Sequence, residues 1–250
     1  MNLFVSKKSW MLAPVIYMLG LAVLAIVWMV MEPMALKSVF DADGKSYFEM
    51  MTIPFYALIV PVVWLCCPFS GSVRRKVLLC AAVSCVAVMA VVKQLDIHLS
   101  VMQSLYPDVV ENFKGTPFKM RFLTGSGIPV GAKLVVLSYF VLFFGVFVGL
   151  LAYYFSKLVK GFFRLHPVAW SMAFFGISGV MVQIFDRIPA WYRHVKGLPK
   201  SEVAGGAFGS FCTAFEEGGE MMIAAYALIA ILQAHMIYSC DAVPQEFGEL

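Results

Sequence analysis

Six stretches of almost uninterrupted apolar residues divide the chain, at about 10–32, 48–69, 76–99, 131–155, 167–188 and 207–237. Each is long enough for a helix to cross a bilayer core about 30 Å thick, which takes around 20 residues. Backbone groups in hydrocarbon must be satisfied internally, so the choice lies between helices and a closed barrel. Barrel strands would alternate apolar with polar positions, and these runs do not. The pattern therefore predicts an all-α fold, a polytopic membrane helix bundle with six transmembrane helices, forming a single domain over residues 1–250. No internal repeat is visible and the two halves do not mirror each other, so an inverted-repeat transporter gains no support.

One segment outside the membrane is sizeable, an outer interfacial loop at about 100–130. Leu99 to Tyr106 continue the helical pattern of the third span until Pro107, which cannot extend a helix. Gly115, Pro117, Gly125, Gly127 and Pro129 predict irregular structure beyond it, with Phe113, Phe118 and Phe122 at the interface. The first apolar run follows Lys7 and Lys8 as a secretion signal would. From Trp10 to Met31, however, it exceeds a signal core of about 7–15 residues, and it is expected to stay as a membrane helix.

Composition agrees with the pattern: 61% of residues are hydrophobic, 14% are charged and mean hydropathy is +0.84. Soluble domains carry about a quarter charged residues, so lipid is the solvent here. The net charge of +4 implies no nucleic acid, because the basic residues sit in short connections. Lys7 and Lys8, then Arg74, Arg75 and Lys76, then Lys157, Lys160 and Arg164 mark alternate connections. The positive-inside rule makes those connections and both termini cytoplasmic, in a cell membrane; Arg193, Lys196 and Lys200 count against this orientation. The six cysteines show no CxxC or Cys/His ligand spacing and read as buried thiols. Tyr153, Tyr154, Trp170, Trp191 and Tyr192 fit aromatic belts, and His166, His194 and His235 read as interfacial.

Ionisable groups inside a membrane cost roughly 2.5–3.5 kcal/mol each, so each demands a partner or a purpose. Three groups stand out. At the end of the third span Lys93 and Asp96 share a helical face, and Gln94 and His98 share another. At the end of the fifth, Gln183 stacks on Asp186 beside Arg187, and Pro189 is expected to close or kink the helix. Glu216, Glu217 and Glu220 cover one arc near the start of the sixth, which the glycine pairs Gly205-Gly206 and Gly218-Gly219 bracket; the pairs read as close-packing positions.

Under the proposed orientation all three groups fall in the outer leaflet, near Glu49 and the Asp43-Gly44 connection. Six acids (Glu49, Asp96, Asp186, Glu216, Glu217, Glu220) face two fixed cations, Lys93 and Arg187. The excess must be neutralised by retained protons or a bound cation.

The leading expectation is thus a carboxylate-rich site that binds a cation or relays protons, in a small transporter, channel subunit or coupling protein. Glu216, Glu217 and Glu220 would hold the cation or metal, Asp96 and Asp186 would complete the shell, and Lys93 and Arg187 would tune its charge. Glu49, Gln94 and Gln183 are secondary candidates. Carboxylates with one imidazole suit a divalent cation as cofactor, although Glu-x-x-His, His-Glu-x-x-His and Gly-x-Ser-x-Gly motifs are absent. A second expectation is an enzyme acting on a lipid or lipid-linked substrate, with Asp96 or a glutamate as base and His98 as acid or metal ligand. The third is a non-catalytic membrane subunit or scaffold, bound to a membrane-protein partner or to its own copies, with Lys93 and Arg187 fully paired with acids.

Overall fold

The computed structural model describes residues 8–40, 46–67, 69, 71–113, 120–199, 202–203 and 206–239. Asp41, Asp43, Gly44, Gly115, Pro117, Phe118, Lys200, Gly205, Cys240 and the side chain of Glu49 lie outside the described residues. Every regular element among those described is helical: α1 (Leu12–Val30), α2 (Pro33–Phe40), α3 (Tyr47–Cys66), α4 (Val73–Gln94), α5 (Ile97–Leu105), α6 (Pro107–Asn112), α7 (Met120–Thr124), α8 (Val130–Phe140), α9 (Val146–Phe163), α10 (Pro167–Lys196) and α11 (Ala207–Ser239). A π-turn, Val141–Gly145, joins α8 to α9 and packs against α4.

The chain is an all-α membrane helix bundle. Five helices are long and apolar enough to cross a membrane: Ser9–Val30, Val73–Gln94, Val130–Phe163, Pro167–Lys196 and Ala207–Tyr238. A sixth, Met50–Cys66 within α3, is apolar but shorter.

Helix α11 is the axis of the bundle and packs against α10, α3, α1 and α2. Its Ala214, Phe215, Met222 and Tyr226 are buried with Ala13 and Leu24 of α1, Leu36 and Phe40 of α2 and Met181 of α10. Outward positions such as Leu19, Val23 and Ile26 of α1 stay exposed and apolar, as lipid requires. Apolar contact alone gives little preference for protein over lipid, so polar links between helices set register. The Tyr226 hydroxyl donates to the Ala13 carbonyl at 2.9 Å and the Ser171 hydroxyl to Gln233 Oε1 at 2.7 Å. At the far end of α11, His235 Nδ1 lies 2.6 Å from the Cys66 carbonyl oxygen of α3.

Three expectations need correction. The third span ends at Gln94, not near 99. Asp96 takes a left-handed conformation (φ 50°), so α5 starts in a new direction and Lys93 and Asp96 do not share a continuous helical face; nor do Gln94 and His98. Pro189 neither closes nor ends the fifth span; α10 runs through it to Lys196, where Gly197 (φ 67°) caps it. A proline deletes one backbone donor, a loss that membrane helices tolerate when neighbouring groups re-satisfy the backbone. The 100–130 segment is also less irregular than expected. Pro107 stops α5 but opens α6 at its first position, and Met102, Phe122, Ala132 and Val136 are buried together with Tyr106 and Phe113 packed on them. Gly131 permits this small core, because a Cβ there would lie 2.3 Å from the Tyr106 hydroxyl oxygen.

Gly218 and Gly219 set the central crossing. A Cβ at Gly218 would lie 2.5 Å from both methyl carbons of Leu24 in α1, and one at Gly219 would lie 2.7 Å from Val182 Cγ2 in α10. The glycine pair therefore admits two neighbouring helices at once. Gly218→Ala is expected to destabilise the bundle by about 1–3 kcal/mol through overpacking. In thermal unfolding of the detergent-solubilised protein, Gly218→Ala combined with Leu24→Ala should fall well short of the summed losses. Strict additivity would show that the close approach is not what the glycine serves.

Candidate functional site

The close crossing at Gly218-Gly219 carries the glutamate turn of α11 into the bundle, where it meets the last turn of α4. A lysine is favoured there on its own account, since a helix C-terminus attracts positive charge. Lys93 Nζ donates to Glu220 Oε1 at 2.5 Å, with the Glu220 side chain 11% and the Lys93 side chain 49% accessible. From the other side, the Tyr56 hydroxyl of α3 donates to the Glu220 backbone carbonyl at 3.2 Å. Glu217 and Glu216 lie close enough to act on the Lys93 charge. Three helices thus meet around one turn of α11.

The chain leaving α4 adds a second layer. Asp96 occupies the left-handed turn, and His98 folds back so that its Nδ1 lies 3.3 Å from the Val92 carbonyl oxygen of α4. The imidazole stacks on Tyr139 of α8, with ring centres 5.1 Å apart and planes inclined by 19°. Burial holds the His98 pKa below the usual histidine value, and Lys93 adds to that lowering; the Val92 carbonyl and Asp96 act in the opposite sense. Tyr139 lies within electrostatic reach of Lys93, Asp96 and Glu220, which ties the two layers together. Gln94 completes the α4 end, its Nε2 buried and without a hydrogen-bond partner among the described residues.

Asp186, Arg187 and Gln183 are placed differently. All three are exposed on α10, whereas Ser178, Met181 and Val182 of the same helix are buried. The Arg187 Nε donates to Asp186 Oδ2 at 3.2 Å, a pair between sequence neighbours with side chains 80% and 47% accessible. The sequence put Asp186 in the fifth apolar run, but the buried arc of α10 is the one that carries Met181. Among the described residues, no group of three or more His, Cys, Asp or Glu side chains is disposed to hold a metal ion. Sequence reasoning passed over Tyr56 and Tyr139; a hydroxyl within an otherwise apolar run was the available signal.

Comparison with family models, curated proteins and solved structures gives no match.

His166 proves to be buried, at 2% exposure, in the tight turn between α9 and α10. Its backbone N–H donates to the Gly161 carbonyl at 2.9 Å, and Leu165 before it is left-handed (φ 57°). Burial pushes its pKa down to about 4 from 6.5. A histidine whose folded pKa is depressed leaves stability intact above the unfolded value and removes it as pH falls. The protein is thus expected to lose up to about 3 kcal/mol between pH 6.5 and pH 4 from this residue. Melting temperature measured across that range should fall less steeply in His166→Gln, and parallel curves would refute the assignment.

Proposed function

We propose that this multi-pass membrane protein relays protons, or couples their movement to a partner, through the Lys93–Glu220 pair and the adjoining Glu217 and Glu216. The observation that carries this reading is a mismatch of charge at one level of the bundle. One lysine contacts one carboxylate while two further carboxylates of the same turn act on it. Like charges this close repel in a medium of low dielectric, and a proton passing through the turn is the mobile counter-charge that this reading requires. A proton suits the geometry better than a divalent ion, since no three ligands converge among the described residues. Asp96, His98 and Tyr139 lead from this turn toward α5, whose end of the bundle is the outer one if both termini are cytoplasmic.

The second reading, a membrane subunit whose charges only lock helices, is favoured by a specific observation: Lys93 and Arg187 are each paired with an acid. Buried pairs of this kind are weak evidence for stability, and Arg187 is too exposed to count heavily.

Reconstitution separates the two. Vesicles containing the protein and an internal pH-sensitive dye are expected to pass protons under an imposed potential faster than protein-free vesicles. Glu217→Gln, which leaves the Lys93–Glu220 contact in place, should slow this flux by about a hundredfold. If the native protein passes no protons, while Glu220→Gln and Lys93→Met each lower the melting temperature and together restore it, the pair is structural.

A further inference from the structure

We infer that the opposite end of the bundle holds a binding site for the phosphate headgroup of an anionic phospholipid, built between the start of α4 and the end of α9. Two segments far apart in sequence meet there. The Arg75 guanidinium lies over the Tyr153 ring, 5.4 Å from its centre, and Tyr154 stacks on Phe69 at 6.4 Å. The Arg75 side chain is held back against Gly71, whose left-handed backbone (φ 109°) leaves room for it; a Cβ at Gly71 would meet Arg75 Cδ at 3.1 Å. A cation fixed against aromatic rings is oriented before any ligand arrives, which lowers the entropic cost of binding one.

More positive charge continues from this point in one line. Lys157, Lys160 and Arg164 follow Tyr153 by four, seven and eleven residues, spacings that return to the same helical face. At 1.5 Å per residue, Lys157 and Lys160 stand about 6 Å and 10 Å beyond the Tyr153 level. Arg74 and Lys76 flank Arg75 on α4. Residues 50–95, 131–185 and 221–239 contain neither Asp nor Glu, and Asp241, Glu246 and Glu249 lie outside the described residues. The patch lies beside the start of one membrane-spanning helix and along the last turns of another, and Tyr153, Phe155 and Phe163 around it are exposed apolar surface for acyl chains. That surface distinguishes a lipid from free phosphate as the occupant. If α4 begins on the cytoplasmic side, the site faces the leaflet richest in anionic lipid.

The test uses the full chain in neutral detergent with short-chain phosphatidylglycerol or phosphatidylcholine, read by native mass spectrometry and melting temperature. Each basic residue near a headgroup contributes a factor of roughly five, so three give a preference for phosphatidylglycerol of about a hundredfold. The Arg75→Gln/Lys157→Gln/Lys160→Gln variant should bind the two lipids nearly equally. The variant Lys133→Gln/Arg193→Gln/Lys196→Gln, which removes equal charge elsewhere, should keep the preference. Added salt should weaken the preference of the unmodified protein, which checks the site even if the first variant fails to fold. The inference is overturned if the native protein shows no preference, if both variants lose it equally, or if inorganic phosphate stabilises the protein as well as the lipid does.

Discussion

A carboxylate carried inside a membrane bundle has to find a cation, and the contact between Glu220 and Lys93 is the constraint around which the helices are arranged. Meeting it requires α4 to end where α11 passes, and α11 to come close enough to α1 and α10 for its glutamates to sit inside. Gly218 and Gly219 supply the closeness, directly beside the residue whose charge needs burying. Packing and electrostatics are therefore parts of one solution. The small residues admit the neighbouring helices, and those helices cover Glu220 while Lys93 stays half accessible.

The same constraint accounts for the break after Gln94. A straight continuation of α4 would keep Asp96 and His98 on the helix beyond Lys93. The left-handed turn at Asp96 instead sends the chain sideways into α5 and returns His98 toward Val92 and the Tyr139 ring. The short helices α5 to α7 then pack their own apolar side chains against α8, which gives this end of the bundle a small core. An aspartate is among the few residues that adopt a left-handed backbone at modest cost, so the chemistry of the turn and its shape come from one side chain.

Much of the fold was legible in the sequence, because the feature that creates it, an apolar run about as long as the bilayer is thick, is local and one-dimensional. The glutamate turn and Lys93 were legible for the same reason: charge inside an apolar run stands out. What the sequence hid was azimuth. Residues 183, 186 and 187 lie in the same apolar run, yet the buried arc of α10 carries Ser178, Met181 and Val182. Only the packing of one helix on another decides which arc that is. The turn at Asp96 was hidden because no glycine or proline announces it, and Pro189 misled in the opposite sense, since a proline in a long membrane helix need not end it.

The charge immediately around two places in the bundle bears on both proposals. Acids near the Lys93 level outnumber the lysine, whereas the Arg75 end has basic residues with no acid in residues 50–95 or 131–185. A bundle held only by helix pairing would gain from mixing the two signs at each end, because each buried charge would then find its partner locally. In the two proposals a proton meets the surplus at the glutamate turn and a lipid phosphate meets it beside Arg75.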